Sequence, residues 1–251
     1  MNTPAIQLGL GLIGIGKPWG HVPRAVPSDS EAQALLTGAV ELGIPYFDTA
    51  PSYGDGVSEA RLGRFLRSLT REERDRLTIA TKMGEHWDAA RGEPFADHSL
   101  DALRRSLDAS LARLGRIDIL QLHKTTPAAL ASDEVAKAWE HARSLGIGRV
   151  GPSVSDLESA RVALEDDRYT VMQLPFSQAN TKFADTIDRA RAKGVWLAVN
   201  RPFAMGAMVH AGADKTAAFR FILDRAFTGV ILTGTVSLEH LKDNVGAFAR
   251  A

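Results

Sequence analysis

Cysteine is absent from the 251 residues. That excludes disulfides, thiolate metal sites and a cysteine nucleophile, and it suits a reducing compartment such as the cytoplasm. Net charge is absent too: thirty Lys and Arg balance thirty Asp and Glu, with no basic cluster. Such a chain has no electrostatic reason to bind nucleic acid or an anionic membrane. No uninterrupted apolar run is long enough to cross a bilayer. The stretch 1–20 is apolar but broken by glycine, and it lacks the basic start and small-residue cleavage site of a signal peptide. A soluble cytoplasmic protein is therefore expected, monomeric or weakly self-associating, with a small molecule as its partner. The seven histidines do not fall at metal-ligand spacings such as H-E-x-x-H, so no metal site is expected. Gly9, Gly11, Gly14 and Gly16 imitate a phosphate-binding fingerprint, but Pro18, Pro23 and Pro27 intervene before any helix, which excludes it.

What the chain has is alternation. Short apolar runs occur at Ile6–Leu12, Pro45–Thr49, Leu77–Lys82, Ile117–His123, Arg149–Ser153, Val171–Leu174, Val195–Val199 and Gly229–Leu232. Such brief aliphatic runs suit strands buried on both faces of a parallel sheet. Helical patterns lie between them. Ser28 and Glu31 form a capping-box pattern before Ala32–Leu42, and Ser155 and Glu158 form another before Leu157–Leu164. Leu100–Leu114 places Leu103, Leu107, Leu111 and Leu114 on one face. Further helices are expected at Glu134–Ser144, Asp185–Lys193, Lys215–Ala226 and Leu238–Phe248, and Thr126-Pro127 reads as a cap with Pro at the first helical position. Length alone also admits two smaller domains. Eight strands in strict alternation with helices, and no linker, favour one closed (β/α)8 TIM barrel over residues 1–251.

The active site of such a barrel lies at the C-terminal ends of its strands. The second expected strand runs into Asp48, with Tyr53 in the next loop; the third ends at Lys82 and the fourth at His123. An acid, a phenol, an amine and an imidazole thus converge on one rim. A phenol has a pKa of about 10, too high for easy proton exchange near neutrality. Lys82 beside it is expected to lower that value, and Asp48 to hold the amine charged and oriented. His123 beside the phenol would hydrogen-bond a carbonyl oxygen. That set serves hydride addition to a C=O group, and the hydride must come from a cofactor. An aldolase using Lys82 as a Schiff base stays open on these residues alone.

The stretch Phe47-Asp48-Thr49-Ala50-Pro51-Ser52-Tyr53-Gly54, with Ser58-Glu59, Leu62-Gly63 and Leu66, resembles a signature of the aldo-keto reductases. So do Thr81-Lys82, the run from Ser106 through Arg113-Leu114-Gly115 to Gln121-Leu122-His123, and Gly151, Ser153, Gln173, Pro202 and Gly206. The resemblance implies Tyr53 as general acid, Lys82 and Asp48 as its tuning pair, and His123 as the residue that orients the substrate. It places Ser153 and Gln173 at a nicotinamide carboxamide and counts Asp48 among the cofactor-binding residues. It runs the segment Asn200, Arg201, Pro202, Phe203 and Ala204 under the nicotinamide and along the pyrophosphate. It puts Gly234, Val236, His240 and Asn244 at the adenosine end. NADPH is the cofactor implied, with NADH possible, because no cation stands at Gly234 or His240 for a 2′-phosphate. Little sequence follows the last helix, so the pocket is expected to be open, or closed by loop aromatics, with Trp19 and Trp87 the expected substrate contacts. The implied activity is reduction of an aldehyde or ketone, or the reverse oxidation of an alcohol or sugar. The family also includes regulatory subunits, which leaves a cofactor-bound subunit without turnover as the alternative.

Overall fold

A computed structural model of the chain describes residues 6–88 and 90–251. Eight parallel strands make one sheet: β1 (Ile6–Gly11), β2 (Tyr46–Asp48), β3 (Thr78–Met83), β6 (Ile119–Leu122), β7 (Arg149–Pro152), β8 (Val171–Pro175), β9 (Trp196–Asn200) and β10 (Gly229–Gly234). Their order is β7-β6-β3-β2-β1-β10-β9-β8. The two ends of that row meet through a parallel bridge between Ser153 and Gln173, supported by Val154 N–H donating to Gln173 O at 2.8 Å. The barrel therefore closes between β7 and β8, at the rim where the chemistry was expected. Closure needs Gly151, because an added Cβ there would lie 1.7 Å from Val171 O.

Every expected strand is present, with ends displaced by one or two residues. Side chains alternate along each one. Tyr46, Ala80, Ile119, Val171, Ala198 and Val230 fill the barrel interior, while their neighbours pack outward against the helices. The helix Leu100–Leu114 shows why the outer layer forms. Leu103, Leu107 and Leu114 are buried, each contributing about 1.5–3 kcal/mol, and Gly115 in the left-handed conformation stops the helix.

Ser28 and Glu31 form the expected capping box. The second one is corrected: Asp156, not Ser155, caps Leu157–Leu164, accepting from Ser159 N. Val57–Ser68 supplies the crossover helix that alternation requires between β2 and β3. An antiparallel hairpin of β4 (Glu85–Asp88) and β5 (Glu93–Ala96), absent from the sequence expectation, stands on the rim after β3. Among the described residues no helix is long and apolar enough to cross a membrane.

Candidate active site

The tyrosine loop is held from three sides. Gly16 lies so close that an added Cβ would sit 2.2 Å from Tyr53 O, so the loop after β1 packs backbone to backbone on the tyrosine loop. Ser58 hydroxyl donates to Leu12 O at 2.9 Å and shares a 2.8 Å contact with the Thr49 hydroxyl. Glu59, fully buried, accepts from the Thr81 hydroxyl at 2.6 Å and from Arg113 at 2.7 Å. A buried carboxylate is tolerable only when paired and hydrogen-bonded in this way. It ties the helix after Tyr53 to β3, the strand that carries Lys82.

Lys82 is the hub. Its ammonium donates to Asp48 Oδ1 at 2.7 Å, to Thr49 O at 2.9 Å and to the Tyr53 hydroxyl oxygen at 3.2 Å. All three donors of the ammonium are thus used. The second carboxylate oxygen of Asp48 accepts from Gln173 Nε2 at 2.9 Å, and Gln173 Oε1 accepts from the Ser153 hydroxyl at 3.0 Å. One hydrogen-bond chain therefore runs from Tyr53 through Lys82, Asp48 and Gln173 to Ser153, across four strands. Burial alone would lower the Lys82 pKa, but the Asp48 carboxylate and the phenol outweigh it, and the value lies above its ordinary one. The ammonium stays charged.

Tyr53 corrects an expectation. Withdrawal from water pushes the phenol up more than Lys82 pulls it down, so its pKa lies above the ordinary value. The hydroxyl is protonated at neutrality, and the Lys82 ammonium stands beside it where negative charge on that oxygen would be steadied.

His123 faces Tyr53 with ring centres 6.2 Å apart and planes 79° apart. Its Nδ1 lies 3.0 Å from Glu85 Oε2, at an angle too bent for a well-aligned hydrogen bond. Glu85 is buried on β4 and also takes the Lys124 ammonium at 3.1 Å and the Ser52 hydroxyl. Burial alone would raise the Glu85 pKa, but the contacts with His123, Ser52 and Lys124 outweigh it and hold the carboxyl far below its usual range. Burial pushes the His123 imidazole below its ordinary value despite Glu85, aided by Lys82 and Lys124.

These groups open onto a cleft of about 670 Å³. Trp19, Asp48, Tyr53, His123, Ser153, Gln173, Asn200, Arg201, Pro202, Phe203, Gly234, Val236, His240 and Asn244 line it. Lys82 sits behind Tyr53 and Asp48 rather than on the wall. Two expected residues do not line it. Ala204 lies in a turn, with left-handed backbone at Arg201, Ala204 and Met205, and is not among the residues lining the cleft. Trp87 sits in β4 opposite Pro94, and it is Pro94 that reaches the cleft. A non-glycine residue in that left-handed region costs of order 1–3 kcal/mol, and such strain gathers at ligand clamps. Arg201 and Met205 of this turn line the cleft, and Met205 O accepts from His21 N at 2.8 Å, tying the turn to the loop after β1.

Sequence reasoning missed Glu85, Lys124, Arg24 and Lys215, all of which line the cleft. Lys124 adjoins His123 and could have been found by extending the strand end by one residue. Glu85 lies beyond Gly84 in a hairpin with no periodic signal. Nothing local connects Arg24 or Lys215 to the rim.

The chain belongs to the aldo/keto reductase family, whose model matches residues 7–217. It is 35% identical over 200 residues to the D-threo-aldose 1-dehydrogenase of a Pseudomonas species, covering 67% of this chain and 58% of that protein. It is 31% identical over 182 residues to the aldo-keto reductase yakc (NADP(+)) of Schizosaccharomyces pombe, covering 70% of this chain and 51% of that protein. The chain thus spans little more than half the length of these two curated relatives. Among solved structures, that of an aldo-keto reductase candidate from Pseudomonas aeruginosa superposes with a TM-score of 0.81 at 29% identity, over 97% of this chain and 89% of that one.

Proposed function

We propose that this chain reduces an aldehyde or ketone to an alcohol with a nicotinamide cofactor, or runs the reverse oxidation on a sugar or small alcohol, with Tyr53 moving the proton. The observation that carries this reading is the Tyr53–Lys82–Asp48 chain opening onto the cleft beside His123. Tyr53 O–H donates to the substrate oxygen, the Lys82 ammonium at 3.2 Å steadies the phenolate so formed, and Asp48 keeps the ammonium charged. His123 contacts the same oxygen from the other side.

The cleft fits a dinucleotide. Asn200 Oδ1 is buried without a hydrogen-bond partner at its edge, an acceptor that a carboxamide N–H₂ would satisfy. Ser153 and Gln173 would hold the same group, and Arg201 and Arg24 are the cations for a pyrophosphate. When bound, the nicotinamide supplies the hydride that no side chain can. The names of relatives, D-threo-aldose 1-dehydrogenase and an NADP(+)-marked reductase, support a carbonyl or sugar substrate and NADPH.

For the 2′-phosphate, Lys215 supplies the cation missing at Gly234 and His240. It lines the cleft, and its ammonium lies 3.0 Å from Asn244 Oδ1 and 2.6 Å from Asp243 Oδ2. Replacing Lys215→Met is expected to weaken NADPH binding by about tenfold or more, the worth of one charge-assisted hydrogen bond. NADH binding should barely change. Titration of protein fluorescence with each nucleotide checks this, and equal losses for both would refute the assignment.

The reading as a whole is tested by adding NADPH and a panel of aldehydes and following nucleotide absorbance. Consumption that depends on the aldehyde supports it; tight nucleotide binding without turnover on any of them favours a regulatory subunit.

A further inference from the structure

The Glu85 carboxylate has no part in the proton chain from Tyr53 to Ser153, yet it is buried and lies 3.0 Å from the ring of His123, which lines the cleft. Its oxygens face three groups: Oε2 accepts from the Ser52 hydroxyl and lies 3.0 Å from His123 Nδ1, off the hydrogen-bond axis, while Oε1 takes the Lys124 ammonium. An ionised carboxylate can only accept. A ring nitrogen 3.0 Å from it must therefore carry a proton, because a lone pair there would face a negative oxygen at contact distance. That leaves Nε2 for the cleft, which His123 lines. In the neutral ring Nε2 is then a bare acceptor.

Resting on the reductase reading of this cleft, we propose that Glu85 is a positioning residue that fixes the neutral His123 as its Nδ1–H tautomer, so that the ring meets substrate as an acceptor for a hydroxyl. The resting cleft then presents one donor, Tyr53 O–H, and one acceptor, His123 Nε2. That pair recognises an oxygen which itself carries a proton, as in an alcohol or the ring form of a sugar. A carbonyl oxygen, which has none, gains the second hydrogen bond only when His123 is doubly protonated.

The neighbours of His123 determine when that happens. Glu85 favours the charged ring. Lys124 beside Glu85 and Lys82 behind the phenol oppose it. Tyr53 is held protonated, Asp48 is spent on Lys82 and Gln173, and His98 turns its Nε2 to the His123 backbone oxygen, at 2.9 Å. With burial added, the ring stays neutral to lower pH than an ordinary histidine. The acceptor form is thus the one present at neutrality. Reduction should fade as pH rises through the His123 titration, and oxidation should fade as pH falls through it.

Nitrogen-15 NMR of imidazole-labelled protein reads the tautomer directly, with no need for turnover. The expected result is a protonated Nδ1 and an unprotonated Nε2 at His123 in the wild-type protein at neutral pH. A protonated Nε2 with a bare Nδ1 would overturn the proposal. Glu85→Gln removes the charge but keeps the shape. It should populate the other tautomer and move the His123 midpoint, and with it the pH–rate profile in both directions, toward acid by about one unit, the effect of losing one close opposite charge. An unchanged tautomer and midpoint in that variant would likewise refute it. The Nδ1–H tautomer in a protein that turns over no carbonyl would uphold this inference and sink the reductase reading, whereas turnover with the opposite tautomer would do the reverse.

Discussion

Tyr53→Phe should lower turnover by about a hundredfold or more while leaving nucleotide affinity nearly unchanged. General acid catalysis typically contributes 10²–10⁴-fold, and the phenol is the hydroxyl held against the Lys82 ammonium at the cleft wall. The substitution removes one oxygen and nothing else. Lys82 loses one of three acceptors but keeps Asp48 and Thr49 O, so the ion pair survives. The raised phenol pKa bears on this result: because the resting tyrosine is protonated, the lost group is a proton donor across the neutral range. Steady-state kinetics with a nucleotide titration on the same preparation separates the two quantities. Turnover within a few-fold of wild type would remove Tyr53 from its role.

Lys82→Met should fail more broadly. The side chains of Lys82 and Asp48 are almost fully buried. Breaking such a pair by removing one partner costs about 3–5 kcal/mol, because the remaining charge stays in the interior. Asp48 would keep Gln173 but no cation. For a chain of this size that loss corresponds to roughly 10 °C in Tm. Turnover should vanish along with it, since the phenolate would have no ammonium beside it. A second variant separates charge from packing. Replacing the whole pair, Lys82→Met with Asp48→Leu, should recover much of the stability, as apolar pairs often do in place of buried ion pairs, without recovering turnover. Thermal unfolding of the two variants checks this. A single variant as stable as wild type would mean the pair is not buried as described.

The barrel was legible because its signal is local. Each strand is a short apolar run bounded by glycine, proline or polar residues, and period and punctuation suffice to find all eight. Asp48, Lys82 and His123 were legible for the same reason, since position along a strand determines position on the rim, and Tyr53 follows in the loop after β2. What escaped is what depends on side chains meeting from distant segments. The hairpin that carries Glu85 has a polar, irregular sequence, Glu85-His86-Trp87-Asp88, with no hydrophobic alternation to announce its pairing with Glu93–Ala96. The partnership of Glu85 with His123 joins residues 38 positions apart, and Lys215 reaches Asn244 across 29. The direction of the Tyr53 shift was misjudged because the sequence shows which charges are near but not how much water is excluded. Trp87 was placed by its loop rather than by its face, and in a hairpin the face decides.

If these residues gather around a carbonyl that takes hydride from a nicotinamide, a label on that hydride must reach the product. The most direct test is to supply NADPH deuterated at the transferring position of C4, with an aldehyde that is turned over, and to weigh the alcohol. One deuterium is expected on the carbinol carbon of the product. An alcohol formed without deuterium there would contradict it.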